Sequence, residues 1–158
     1  MSGSAPITAR GLDRIKKELD HLIKVEREEL KVIISEAREL GDLKENAEYH
    51  AAKEKQSHIE GRISQLQAVV AKSRIVDVAS IDSDKIVFGA TINLIDSESG
   101  QRLRYQLVGE DESDFREGRV SYTSPLGMAL IGKEVGDNVI VKAPKGDVEY
   151  EVESFEYT

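Results

Sequence analysis

The chain has 158 residues, of which 39% are hydrophobic, 33% charged and 5% aromatic, with no Trp and no Cys. The absence of cysteine excludes disulfides, thiolate metal sites and Cys nucleophiles, and the few aromatics argue against a large aromatic-lined pocket for an organic ligand. The net charge of −8 is carried by residues 76–158, while residues 1–75 are close to neutral, so general duplex binding through Lys and Arg is not expected.

No apolar run approaches the roughly 18 residues of a membrane span. Residues 1–6 lack the basic and apolar stretches of a secretory signal, and a cytoplasmic protein is expected.

Residues 12–40 read as a helix with Thr8 as its N-cap and Gly41 as its stop. Leu12, Ile15, Leu19 and Leu22 recur in a 3-4-3 rhythm, and Leu30, Ile33, Ala37 and Leu40 continue it. Glu26 and Glu29 break the strict heptad, which predicts a register shift in mid-helix. A second helix is predicted over 47–74, with a seam of Ala52, Gln56, Ile59, Ile63, Leu66 and Val70. The connection between the helices is short enough to force antiparallel packing. An arm of about 30 residues would reach roughly 45 Å at 1.5 Å per residue.

Beyond residue 75 the pattern changes to β. Strands are predicted over 85–95 and 101–108, joined by the turn 97–100. Ser124 and Pro125 open a short helix that Gly132 ends. Residues 138–143 and 147–155 form a last hairpin. Apart from Tyr49, every Tyr and Phe falls in this half. The predicted class is α+β, with a coiled-coil hairpin over 1–76 and a mainly antiparallel β domain over 77–158.

The hairpin turn, residues 41–46, is acidic. A hairpin that serves only as a core needs a turn there but no concentration of carboxylates, so Asp42 and Glu45 are the candidate chemical groups. A structural alternative stands beside this: Asp42 as N-cap and Glu45 at the third helical position form a variant capping box. Asn46 is a competing cap. His21, His50 and His58 do not have the spacing of a metal-ligand set.

The segment Gly41-Asp42-Leu43-Lys44-Glu45-Asn46-Ala47-Glu48-Tyr49 and the residues that follow it to Glu54 closely resemble the signature of the bacterial GreA/GreB transcript cleavage factors. The resemblance continues through Glu60 to Ile63, Val87 to Thr91, Ser124-Pro125 and Leu130 to Glu134, in order along nearly the whole chain. It implies an N-terminal coiled-coil hairpin and a C-terminal domain similar to the FK506-binding proteins. It also implies bacterial RNA polymerase as partner: the globular domain docks at the rim of the secondary channel, through the surface that includes Ser124 and Pro125, and the hairpin enters the channel.

By the same resemblance, Asp42 and Glu45 help hold a Mg²⁺ shared with the polymerase, at which the 3′ end of backtracked nascent RNA is cleaved. The factor stimulates that cleavage and is not itself a nuclease; no stably bound cofactor, membrane or sequence-specific DNA contact is expected. Arg38 and Lys53 flank the turn as a small basic patch for extruded RNA, or as ordinary helix-surface charge. Lys44 contacts phosphate or is simply solvated. Tyr49 packs on the facing arm near Leu40, stacks on a base, or orients a carboxylate. The rival readings are a channel binder that does not cleave, a prolyl isomerase suggested by the C-terminal fold, and a coiled-coil adaptor.

Overall fold

A computed structural model describes residues 4–42 and 45–158. They fall into two compact units, one formed by Asp13–Lys72 and the other by residues up to Leu12 together with Ser73–Thr158.

The first unit holds the helical hairpin, apart from the first turn of its first arm, which belongs to the other unit. Its first arm comprises α1 (Ala9–His21), a π-helical segment (Leu22–Glu26) and α2 (Arg27–Arg38); its second is α3 (Ala47–Lys72). The Thr8 hydroxyl accepts from the Gly11 N–H at 3.0 Å, which is the expected cap of α1. The π-segment explains the broken heptad. Leu22 and Leu30 are eight residues apart, one more than a heptad, and both are buried. A π-turn accommodates one extra residue by widening the helix locally, so the apolar stripe stays on the inner face.

Beyond the π-segment the seam runs Leu30, Ile34, Ala37. Ile33 and Leu40, expected in the seam, are 47% and 68% exposed. On α3 the buried residues are Ala52, Ile59, Ile63, Leu66 and Val69, with Val69 in place of the expected Val70 and Gln56 only half-buried.

Two bidentate ion pairs tie the arms together in antiparallel order. Arg27 meets Glu60 at 2.8 and 2.7 Å, and Arg62 meets Glu18 at 2.8 and 3.0 Å. Hydrogen bonding to Arg62 holds the Glu18 carboxyl below its usual range, and Arg27 does the same for Glu60. A side chain at Gly61 would meet open space, so nothing in the structure explains that glycine.

In the second unit, β1 (Ala5–Thr8) pairs in parallel with β2 (Ser73–Val76). This pairing ends α3 at Lys72, two residues before the predicted end. The main sheet contains β3 (Thr91–Asp96), β4 (Arg102–Val108), β5 (Arg119–Ser121), β6 (Asn138–Ala143) and β7 (Gly146–Glu156), in the order β5-β4-β3-β7-β6. All its pairings are antiparallel except β4 with β5. Alternation along the central strand β3 sends Ile92 and Leu94 into the core, where they join Ile86, Leu107, Leu130 and Val152.

The predicted strand over 85–95 is half realised. Residues 85–90 are irregular, with a turn at Phe88 and Gly89, where Gly89 takes a φ of +94° and breaks the strand. Ile86 is still fully buried and exchanges backbone bonds with Lys133 and Gly132. Helix α4 (Pro125–Leu130) closes the core near β5 and β6. A Cβ at position 127 would run into the Ser121 carbonyl, so this close approach requires Gly127.

Candidate functional site at the hairpin turn

The turn is built by a side chain that the sequence reading placed second. Asn46 precedes the first residue of α3, and its Oδ1 accepts from the Tyr49 N–H at 2.9 Å. That is the N-cap bond, made to the third helical residue. The variant capping box of Asp42 and Glu45 is therefore not what starts α3. The other end of the Asn46 amide, Nδ2, donates to the Ala37 carbonyl of α2 at 2.5 Å. Ala37 O also accepts from Leu40 N at 3.1 Å, so the last turn of α2 is satisfied from both sides. Gly41 then turns the chain with a φ of +123°, a conformation glycine adopts cheaply.

Asp42 and Glu45 are both exposed between these anchors. Lys44 lies outside the described residues. Arg38 and Tyr49 meet across the two arms, with the guanidinium carbon 5.7 Å from the ring centroid, within cation–π range. The His50 ring meets Tyr49 edge-on at 5.7 Å. The contact of Tyr49 with the facing arm is thus to Arg38, while Leu40 is 68% exposed. Lys53 is bonded along its own arm, its Nζ donating to Gln56 at 2.9 Å. The turn therefore carries two exposed carboxylates with cations on both flanking arms. Among the described residues no three His, Cys, Asp or Glu side chains come together as a metal site.

Ser124 and Pro125 lie in the other unit. The Ser124 hydroxyl caps α4 by accepting from Gly127 N at 3.1 Å, and it donates to Ser121 O at 2.7 Å. Pro125 occupies the first helical position and is exposed. Beside them opens an apolar cavity of about 420 Å³, lined by residues that include Phe115, Val120, Pro125, Leu126, Val141 and Pro144. Sequence reasoning missed this cavity, because its walls come from separate elements, among them β5, α4 and β6, that only the fold packs around one space.

The chain matches two family models in order. Residues 5–75 match "Transcription elongation factor, N-terminal" and residues 81–157 match "Transcription elongation factor, GreA/GreB, C-term". The chain belongs to the GreA/GreB family of transcription elongation factors. It is 49% identical to GreA of Alkalilimnicola ehrlichii over 97% of this chain and 98% of that one. It is 52% identical to GreA of Anaeromyxobacter sp. over 94% and 90% of the two chains.

Among solved structures, Gfh1 of Thermus thermophilus aligns over 97% of this chain and 99% of that one, at 28% identity and a TM-score of 0.45. The GreA/GreB factor of Nitrosomonas europaea aligns over 98% of this chain and 100% of that one, at 19% identity and a TM-score of 0.43. As a GreA/GreB factor the chain acts in transcription elongation, and RNA polymerase is its partner. No helix among the described residues is long and apolar enough to cross a membrane.

Proposed function

We propose that this factor stimulates the polymerase's own cleavage of the 3′ end of backtracked nascent RNA, with its hairpin in the secondary channel and Asp42 and Glu45 at the polymerase active site. The observation that carries this reading is the turn itself: Asn46 caps α3, and Asp42 and Glu45 are both exposed beside it.

Hard carboxylate oxygens suit Mg²⁺, which takes about six oxygen ligands. Two side chains do not fill that shell, so the remaining oxygens belong to the polymerase and the RNA. When bound there, Mg²⁺ lowers the pKa of a coordinated water and offsets charge developing at the phosphate.

The chain's own residues position and attract. Asp42 and Glu45 present acceptors for the metal and for the proton of the attacking water. Arg38 and Lys53 draw the RNA phosphates toward the turn. Arg38 is held over Tyr49 and so offers a fixed cationic plane. Pro125 and the apolar cavity beside it form the docking surface of the globular unit, where Ser124 shapes the helix start and makes no demand on the partner. The factor thus contributes two acidic side chains to an active site it does not own.

The test uses stalled, backtracked polymerase with end-labelled RNA. Asp42→Asn and Glu45→Gln are expected to abolish stimulated cleavage while polymerase binding persists. Normal cleavage by either variant would overturn the metal reading, and the outcome of a channel binder that does not cleave is wild-type factor giving no stimulation.

A further inference from the structure

Asn46 joins the two arms of the hairpin through a single side chain. Its Oδ1 caps α3 at Tyr49 N, 2.9 Å away, and its Nδ2 reaches back nine residues to Ala37 O at 2.5 Å. Asp42 and Glu45 both lie between those two anchors. Capping α3 needs only an acceptor, and Ser, Asp or Asn supplies one. The bond to Ala37 O needs a donor on the same side chain, which Asp lacks and Ser cannot extend far enough to provide. Ala37 is 3% exposed and is the last seam residue of α2, so its carbonyl is a rigid attachment point. Leu40 N already satisfies that carbonyl, so the second bond is not needed to rescue a buried polar group. Its geometric effect is to pin both ends of the segment that carries the two carboxylates.

We infer that Asn46 is a positioning residue: its bond to Ala37 O holds the turn at the one separation of its ends at which Asp42 and Glu45 act on a shared divalent cation. Without that bond α3 still starts in the same place, but the turn samples other separations and the carboxylate pair is displaced. Misplacement of a catalytic group by about 1 Å costs up to about 100-fold in rate. This inference rests on the metal reading of Asp42 and Glu45, and its test is chosen to fail separately from that reading.

Asn46→Ser and Asn46→Asp both keep a capping acceptor and both remove the second donor. They differ by one negative charge, so a loss shared by both comes from the missing donor. Cleavage is measured in a single round at saturating factor and over a Mg²⁺ titration, with polymerase affinity and thermal unfolding measured in parallel. The expected result is a cleavage rate at least about tenfold lower in both variants, a higher Mg²⁺ requirement for half-maximal rate, and unchanged affinity and melting temperature.

Wild-type rate and Mg²⁺ dependence in Asn46→Ser would overturn the positioning role while leaving the metal reading intact, provided Asp42→Asn remains inactive. A matching loss of melting temperature or affinity in both variants would overturn it in favour of a purely structural cap. Normal cleavage by Asp42→Asn itself would overturn both.

Discussion

Glu112 and Thr8 are the polar side chains that the fold takes most fully out of water among the described residues, at 5% and 6% exposure. The Glu112 carboxylate accepts from the N–H groups of Thr8 and Gly109, each at 2.9 Å, and from the Thr8 hydroxyl. The buried charge therefore sits at the N-terminus of α1, where the helix dipole favours it. Gly11 is the neighbour that makes room, since a Cβ there would overlap the carboxylate. Gly11→Ala is predicted to cost about 2–3 kcal/mol, from overpacking and disturbed bonds to a buried charge. Denaturant unfolding of the full chain checks this. In the sequence, Glu112 is the third of three acidic residues and looks solvated; only the partners brought from residues 6–11 reveal its burial. Asn46 was similarly ambiguous, because Asp42 and Asn46 are both good capping residues and spacing alone does not choose between them.

The arms of the hairpin show how periodicity is read at the scale of an element. The existence of both helices, their antiparallel pairing and the mid-helix register shift were legible in the spacing of apolar residues. The phase after the shift was not, because Ile33 and Ile34 are adjacent, as are Val69 and Val70, and hydrophobicity alone does not distinguish neighbours of the same kind. The π-segment decides the phase by absorbing the extra residue between Leu22 and Leu30. Ile34→Ala is therefore predicted to destabilise the hairpin by about 2–4 kcal/mol, and Ile33→Ala by no more than about 0.5 kcal/mol. Circular-dichroism melting of the two variants distinguishes the assignments, and equal losses would contradict this seam. The strand over 85–95 failed in its first half for a related reason. Its apolar pattern includes Ile86, which enters the core from irregular backbone rather than from a strand, and Gly89 marks the break.

At the scale of the whole molecule, the two units present different surfaces: exposed carboxylates at the hairpin turn and an apolar cavity in the globular unit. Phe115 is 65% exposed yet lines that cavity and stacks on Tyr105 with ring centroids 5.2 Å apart. Exposed aromatics of this kind are typical binding anchors. Phe115→Ala is predicted to weaken polymerase affinity about tenfold without changing the melting of the hairpin. Asp42→Asn should compete with wild-type factor and inhibit its stimulated cleavage, and adding Phe115→Ala to it should relieve that inhibition. A competition assay on backtracked complexes measures both effects, and persistent inhibition by the double variant would place docking elsewhere.

The sequence by itself determined the α+β class, the hairpin with its acidic turn, most strands of the sheet, and the family. These follow from local spacing, capping residues and a contiguous signature, all of which are written along the chain. Tertiary structure alone decided which of two adjacent isoleucines fills the seam, which residue caps α3, how Glu112 is buried, and where the cavity opens. Most of those depend on packing between separate elements, and a bond such as Asn46 to Ala37 exists only once two helices have been brought side by side.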